Sequence, residues 1–191
     1  PPGYNLQIKS GEFSTYKYWE LPELDEREFL KDRDFVYEKF QFLFEDSIRL
    51  RMRSDVPFGA FLSGGLDSSA VVSVMSKLTK LPIETFTIGF NEPEFDERKL
   101  AYDVAKKFGT NHNVNVLDVG TFEKSLQRVL FHYDEPFGDS SAIPTDFVSN
   151  YAAQKVKMVL TGDGGDEVLS GYPAYQFEKM VKYGRHIPNN M

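Results

Sequence analysis

The sequence predicts an α/β fold in which a parallel sheet carries helices on both faces. From residue 56 onward, strand-like and helical segments alternate, which is typical of such folds. Runs such as KMVL at residues 157–160, which lack polar alternation, favour strands that are buried on both faces. The predicted strands cover residues 56–62, 84–90, 113–117 and 157–161, and the predicted helices cover residues 68–80, 96–108, 121–131 and 145–154.

Spacing within the helical segments indicates which side chains should be buried. In the first of them, Val71, Val74, Met75 and Leu78 recur at intervals of three and four. In the third, the same spacing predicts burial of a second apolar set, Phe122, Leu126, Val129 and Leu130.

Composition places the chain among globular proteins and excludes several kinds of site. Of 191 residues, 41% are hydrophobic and 27% are charged, with a net charge of −7 and basic residues interleaved with acids. This interleaving disfavours a nucleic-acid-binding surface. The absence of cysteine excludes a disulfide framework, a thiolate zinc site and a cysteine nucleophile within these residues. Because we find no secretory segment and no apolar run long enough to span a bilayer, we predict a cytoplasmic protein with no membrane contact.

The first 24 residues differ from the rest. Alternating apolar positions from Tyr4 to Ile8, a turn-like KSGE at residues 9–12 and a β-prone aromatic stretch at residues 13–19 predict a β-hairpin. A helical pattern then extends over residues 25–53. An isolated hairpin is marginally stable in water, so we expect it to pack on the main domain or to belong to another one. The chain begins at Pro1, and we expect it to be part of a longer protein.

The stretch SGGLDSS at residues 63–69 lies where the first predicted strand meets its helix. Gly64 and Gly65 let the backbone approach an anion, and a helix start offers free N–H groups and the positive end of the helix dipole. This turn therefore suits a phosphate or pyrophosphate. Asp67 would repel such a ligand unless a cation lay between them, which indicates Mg²⁺. The alternative is an ordinary turn in which Asp67 or Ser68 caps the helix.

A second glycine-rich turn, TGDGGDE at residues 161–167, follows the last predicted strand. Acids at a helix start are favourable in any protein, so this turn alone is equally consistent with a structural role. Ligands of parallel α/β sheets bind at the carboxyl ends of the strands, and both turns lie there. Asp67 and Asp166 could therefore share a Mg²⁺ that also binds phosphate oxygens.

Two familiar nucleotide motifs are absent. The first turn lacks the Gly-Lys-Ser/Thr of a Walker A loop, which disfavours γ-phosphoryl transfer by that machinery. It also lacks the GxGxxG pattern of dinucleotide-binding folds.

Four motifs in this order resemble the glutamine-dependent asparagine synthetases, whose synthetase domain is an N-type ATP pyrophosphatase, or PP-loop, domain of the adenine nucleotide alpha hydrolase-like fold. They are SDVPFGAFLSGGLDSS at residues 54–69, TFTIGF at 85–90, DEPFGDSSAIPT at 134–145 and TGDGGDE at 161–167. In addition, PPGY at 1–4 and YWELP at 18–22 are similar to the end of that family's glutaminase domain and its linker. The resemblance implies that residues 1–24 are the tail of an N-terminal, Ntn-type glutaminase domain and that residues 25–191 begin the synthetase domain.

The same resemblance implies roles for individual positions. Ser63, Gly64, Gly65, Ser68 and Ser69 would hold the β,γ-pyrophosphate, and Asp67 and Asp166 would bind Mg²⁺. Leu62, Ile88 and Gly89 would line the adenine pocket, and Thr161 and Gly162 would contact the nucleotide, with Gly162 near the ribose. Asp163 and Glu167 would be the catalytic carboxylates of the amino-acid end. Asp163 stands where the family commonly has a glutamate that contacts the β-aspartyl-AMP intermediate, so its reach is shorter. The loop at residues 134–145 is either a substrate-side loop or a plain surface connection.

The implied reaction is ATP-dependent amide formation. A carboxylate, most simply that of L-aspartate, would be activated as an acyl-AMP with release of pyrophosphate and then amidated by glutamine-derived ammonia from the glutaminase domain, with ATP and Mg²⁺ as cofactors. Two family features are not found here: the N-terminal cysteine nucleophile of the glutaminase, and a catalytic lysine downstream of the second glycine turn, for which Lys179 and Lys182 come too soon. We therefore expect this chain alone to bind Mg·ATP and to form adenylate poorly or not at all.

Two alternative functions remain open from the sequence. The chain could belong to a relative that amidates or cyclises another carboxylate, as in polysaccharide or secondary-metabolite pathways or in β-lactam synthetases. It could also be a non-catalytic nucleotide-binding module. The sequence determines neither the acceptor nor the oligomeric state, and a homodimer is one assembly that we consider.

Overall fold

The computed structural model describes residues 1–22, 32–135, 138–175, 177 and 181. The chain forms two compact units, Pro1–Phe42 and Leu43–Met191. The domain boundary expected between residues 24 and 25 lies outside the described residues, as does the start of the helix expected over residues 25–53, so both remain predictions.

The first unit contains the predicted hairpin. Strands β1 (Tyr4–Lys9) and β2 (Glu12–Lys17) pair antiparallel, with Ile8 opposite Phe13. The two turn residues, Ser10 and Gly11, have positive φ values of 54° and 85°, which is the conformation that matches the twist of a two-residue hairpin. The hairpin prediction is therefore confirmed. Helix α1 (Arg33–Arg51) begins in this unit and ends in the second.

The second unit is built on a four-stranded, fully parallel sheet in the order β5-β4-β3-β6. Its strands are β3 (Phe58–Phe61), β4 (Glu84–Gly89), β5 (Asn111–Val116) and β6 (Met158–Leu160). The chain passes from β3 outward to β4 and β5, and then returns to β6 on the other side of β3. The strand order thus reverses at β3, and in parallel α/β sheets the crevice at the carboxyl ends beside such a reversal is the usual ligand site.

Five helices accompany these strands: α2 (Leu66–Leu78), α3 (Arg98–Phe108), α4 (Val119–Tyr133), α5 (Ala142–Ala152) and the short α6 (Gly165–Leu169). Helix α4 begins two residues before the predicted start, because the carboxylate of Asp118 accepts the N–H of Thr121 and caps the helix. Helix α5 begins three residues before the predicted start, because Pro144 falls in its first turn, where a missing N–H costs nothing.

Two hydrophobic clusters cover opposite faces of the sheet. Along β3 and its end, Ala60 and Leu62 face one cluster, whereas Phe61 packs against the other. The first cluster joins the end of α1 with α2 and α3, and the second joins β4 and β6 with α5 through Phe86, Val148, Ala152 and Val156. The predicted parallel sheet with helices on both faces is confirmed.

Helix α4 differs from its predicted packing. Phe122 and Leu130 were expected to be buried, but their exposed fractions are 42% and 55%, and the fully buried residue is Ser125. The physical reason is that α4 packs mainly on α5 rather than on the sheet, so the described residues cover only one side of it. No helix in the described part of the chain is long and apolar enough to cross a membrane.

Candidate active site

The first glycine-rich turn joins β3 to α2 and is held by its own serines. The Oγ atoms of Ser63 and Ser68 lie 3.0 Å apart, and Ser63 Oγ accepts the N–H of Gly65 at 3.1 Å. The N-cap of α2 is Gly65, and no side chain caps the helix. The alternative in which Asp67 or Ser68 serves as the N-cap is therefore wrong. Without a capping side chain, the first N–H groups of this 13-residue helix are available to an anion.

At Gly64 this turn packs closely against the start of α3. Its φ is +85°, and a Cβ atom built on it would lie 2.6 Å from Leu100 Cβ and 2.7 Å from Ala101 N. The position therefore accepts only glycine, both for its backbone conformation and for the space available.

The second glycine-rich turn packs directly on the first. A Cβ atom on Gly162 would lie 2.8 Å from Ser68 N and 2.9 Å from Asp67 Cβ. A Cβ atom on Gly165 would lie 2.7 Å from each carboxylate oxygen of Asp67. The structure thus brings the two turns into contact at the carboxyl ends of the adjacent strands β3 and β6.

The carboxylates of the two predicted magnesium ligands contact different glycines. The carboxylate of Asp67 lies against Gly165, whereas that of Asp166 occupies the space beside the α-carbon of Gly171. Within the described ranges no group of three or more His, Cys, Asp or Glu side chains is arranged to hold a metal. Mg²⁺ in nucleotide sites usually takes only one or two carboxylates and completes its shell with phosphates and water, so the donor types fit. The pairing of Asp67 with Asp166 stays a prediction.

Both predicted catalytic carboxylates are exposed and accept a hydrogen bond from a neighbouring hydroxyl. Thr161 Oγ1 donates to Asp163 Oδ2 at 2.9 Å, and the hydroxyl of Tyr172 donates to Glu167 Oε1 at 2.8 Å. The hydrogen bond to Glu167, together with its negative charge, raises the pKa of Tyr172 to about 12.

Asp163 also lines a cavity of about 470 Å³ between the second glycine turn, α4 and α5. The wall includes Asp139, Ser141 and Thr145 from the loop and helix start at residues 134–145, of which residues 136 and 137 lie outside the described ranges. Asp139 accepts both the N–H and the hydroxyl of Ser141 at 2.8 Å, and these bonds lower the pKa of Asp139. Part of this loop therefore lines the cavity.

An ion pair between α4 and α5 supports this cavity. Arg128 donates through Nε at 3.1 Å to both carboxylate oxygens of Asp146, which lines the wall, and through Nη2 at 2.9 Å to the buried Ser125 Oγ. Burial raises the pKa of Asp146, but the hydrogen bonds of Arg128 and Ser125 and the charge of Arg128 outweigh this effect, so the net pKa is lowered.

The remaining predicted positions are less open. Leu62 is only 1% exposed, and its side chain belongs to the core, so a ligand could meet only its main chain. Ile88 is partly buried, and the side chain of Arg98 covers the α-carbon of Gly89. Ser69 Oγ is buried and has no hydrogen-bond partner among the residues that the structure describes.

A comparison with known protein families identifies the family of this chain. A sequence profile of the asparagine synthase family matches residues 39–190. This chain belongs to the asparagine synthase family. The match spans both glycine-rich turns and the loop that faces the cavity.

Individual members of the asparagine synthase family are similar over nearly the whole chain. The putative asparagine synthetase [glutamine-hydrolyzing] 2 of Methanocaldococcus jannaschii is 43% identical over 96% of this chain, which corresponds to 35% of that protein. Asparagine synthetase [glutamine-hydrolyzing] 1 of Bacillus subtilis is 34% identical over the full chain and 30% of its own length. The chain thus spans about a third of the curated relatives that it matches. Among solved structures, the NH3-dependent NAD synthetase of Campylobacter jejuni is similar over 74% of this chain and 61% of its own, with a TM-score of 0.46 and 15% identity.

Sequence reasoning did not identify Arg98, Arg128, Asp146 or Tyr172 as parts of this site. For Arg98 a weak signal exists, because Asp96 precedes it by two residues at a helix start, a spacing that lets the two side chains pair. The partners of Arg128 and Tyr172 depend on how neighbouring segments pack, which spacing does not reveal.

Proposed function

We propose that this chain forms the ATP-binding part of an enzyme that activates a carboxylate as an acyl-AMP and then converts it to an amide. Membership in the asparagine synthase family implies the use of ATP. The observation that carries the proposal is the contact between the two glycine-rich turns, in which the Asp67 carboxylate lies against Gly165.

The first turn would bind the β,γ-pyrophosphate. The uncapped start of α2 supplies N–H donors and the positive end of a helix dipole, and the Ser63–Ser68 hydroxyl pair is already held beside it. When a carboxylate attacks the α-phosphorus of ATP, negative charge accumulates on the departing pyrophosphate. Donors fixed at that position stabilise the charge where it develops.

Asp67 and Asp166 would hold Mg²⁺, with phosphate oxygens completing its shell. The ion would neutralise charge on the pyrophosphate leaving group. The role of Asp67 in this proposal explains why a carboxylate stands in a turn that is otherwise suited to an anion.

The acceptor would bind in the cavity beside Asp163. Asp163 and Asp139 place carboxylates on its wall that suit the ammonium group of an amino acid, whereas the carboxylate of Asp146 is already paired with Arg128. We therefore propose L-aspartate as the acceptor, Asp163 and Glu167 as carboxylates that contact the activated intermediate, and ammonia derived from glutamine as the nucleophile. A cytoplasmic location and a homodimer complete the proposal.

A second candidate is amidation of a different carboxylate. Asp163 has one methylene fewer than the glutamate common at this position in the family, and Thr161 already holds its carboxylate. A larger acceptor would extend closer to Asp163 than aspartate would, so the shorter side chain of Asp163 could contact it.

The test is exchange of labelled pyrophosphate into ATP by the full-length protein, run with a panel of carboxylic acids that includes L-aspartate. We expect aspartate-dependent exchange that falls at least tenfold in Asp67→Asn and is unchanged in Asp103→Asn, an exposed carboxylate on α3. Exchange with another acid alone would favour the second candidate. Exchange that is insensitive to Asp67→Asn would contradict the proposed role of the turn, and no exchange with intact ATP binding would favour a non-catalytic module.

A further inference from the structure

Arg98, the first residue of α3, crosses the carboxyl end of β4. A Cβ atom built on Gly89 would collide with Arg98 Cδ and would lie 2.7 Å from its Nε. The arginine therefore fills the space that a side chain at residue 89 would occupy. The same helix start contacts the first glycine-rich turn, because Leu100 and Ala101 pack against Gly64. Arg98 thus lies where the end of β4 adjoins the proposed pyrophosphate loop.

The guanidinium of Arg98 is held in a fixed orientation. Its Nε lies 2.7 and 2.9 Å from the two carboxylate oxygens of Asp96, and its Nη2 lies 2.7 Å from Asp96 Oδ2 and 3.4 Å from the carbonyl oxygen of Phe90. A two-pronged pair of this kind fixes both the position and the plane of the guanidinium.

The guanidinium of Arg98 is only partly enclosed. No described residue accepts a hydrogen bond from Nη1, and the Arg98 side chain is 40% exposed against 21% for Asp96. A flat, oriented guanidinium at the rim of a nucleotide site can either stack on a base or donate to phosphate.

Charge decides between these two roles. Asp96 neutralises Arg98 at close range, and its own carboxylate would repel a polyphosphate that approached the pair. Stacking on an uncharged ring carries no such repulsion. Glycine at residue 89 also leaves room for the arginine side chain at the strand end, where a larger residue would displace it.

We propose that the guanidinium of Arg98, oriented by Asp96 and seated on Gly89, forms a stacking wall for the purine ring of the nucleotide. This inference rests on the proposed function, because it requires ATP at the carboxyl ends of β3 and β4. It assigns Arg98 to recognition of the base and not to binding of the phosphates.

The test measures the Kd of the full-length protein for Mg·ATP and for Mg·tripolyphosphate, which has no base, by isothermal titration calorimetry. We expect Arg98→Ala to weaken Mg·ATP binding about tenfold and to leave Mg·tripolyphosphate binding unchanged. Arg98→Lys should behave like Arg98→Ala, because it keeps the charge but loses the planar face. Gly89→Ala should weaken ATP in the same way by displacing Arg98. Lys99→Ala, which removes an exposed charge one residue away, is the matched control and should change neither Kd.

Each other outcome is decisive. Equal weakening of both ligands in Arg98→Ala would make Arg98 a phosphate ligand and overturn the stacking role. Unchanged ATP affinity in Arg98→Ala, with tight binding by the wild type, would also overturn it while leaving the proposed function standing. Absence of ATP binding by the wild type would contradict the proposed function itself, and this inference with it.

Discussion

The carboxylate of Asp67, on the first turn of α2, lies against the α-carbon of Gly165 at the start of α6. Both oxygens would be 2.7 Å from a Cβ atom at residue 165. Two turns that are almost one hundred residues apart in the chain therefore meet through one acid and one glycine. Replacement of that glycine tests the contact without removing a functional group.

We expect Gly165→Ala to impair function but not folding. Residue 165 has no positive φ, and the atoms that a methyl group would meet belong to the Asp67 side chain, so the urea unfolding midpoint should change little. The added methyl group must displace the Asp67 carboxylate, and we expect pyrophosphate exchange to fall at least about tenfold. Gly120→Ala is the control, since its Cβ would lie 3.6 Å from Asp118. Exchange at the wild-type rate in Gly165→Ala would show that the position of Asp67 is unimportant.

Gly64→Ala should destabilise the protein by more than the cost of placing alanine in a left-handed backbone conformation. Positive φ costs alanine about 1–2 kcal/mol, and the methyl group would also collide with backbone atoms of Leu100 and Ala101. Gly109→Ala isolates the first cost, because its φ is +64° and, apart from its chain neighbours, no described residue comes within 4 Å of a Cβ atom built there. We expect Gly64→Ala to reduce the free energy of unfolding by about 1–3 kcal/mol more than Gly109→Ala in urea titrations. Equal losses would mean that the loop and α3 separate easily.

The Arg128–Asp146 pair should stabilise the protein only above acidic pH. The pKa of the Asp146 carboxyl is lowered in the folded state. The pair therefore contributes its full stabilisation above the pKa of an unfolded aspartate, about 3.9, and loses it as the pH falls through the pKa of the folded state. We expect Asp146→Asn to lower the free energy of unfolding by about 1–3 kcal/mol at pH 7, because Arg128 loses its partner. Urea unfolding at several pH values should show this difference constant from pH 7 to about pH 5 and shrinking below about pH 4. A difference that does not shrink on acidification would mean that packing, not charge, is responsible.

Tyr172→Phe should affect the site through Glu167. The variant removes the hydroxyl that donates to Glu167 Oε1 at 2.8 Å but keeps the ring. We expect pyrophosphate exchange to fall about threefold to tenfold, with less than about 1 kcal/mol change in stability because the side chain is 42% exposed. Tyr175→Phe, whose ring lies 5.8 Å from that of Tyr172, is the matched control and should keep the wild-type rate. Equal effects of both variants would indicate a role of the aromatic pair rather than of the hydrogen bond.

Residues next to each other in the chain made much of the candidate site predictable. An anion-binding turn needs glycines, hydroxyls and a helix start in immediate succession, so SGGLDSS at residues 63–69 could be recognised without knowledge of distant contacts. TGDGGDE at residues 161–167 was recognised for the same reason. The contact between these turns was expected from parallel-sheet topology, and the structure places Gly162 and Gly165 against Asp67.

Side-chain partners from distant segments were not predictable in this way. Arg98 reaches Gly89 because of where α3 packs relative to β4, and Arg128 finds Asp146 because α4 lies on α5. The expectation for Phe122 and Leu130 failed for a related reason, since an apolar stripe shows which face of a helix is hydrophobic but not what covers it.

By itself the sequence determined the alternation of strands and helices, the parallel sheet and the two glycine-rich turns, because each depends on local periodicity or on contiguous residues. Only the tertiary structure decided that Gly65 is the N-cap of α2, that Asp67 lies on Gly165 and that Arg98 covers Gly89. These relationships depend on side-chain rotamers and on the packing of segments that are far apart in the chain, and a linear pattern carries no information about either.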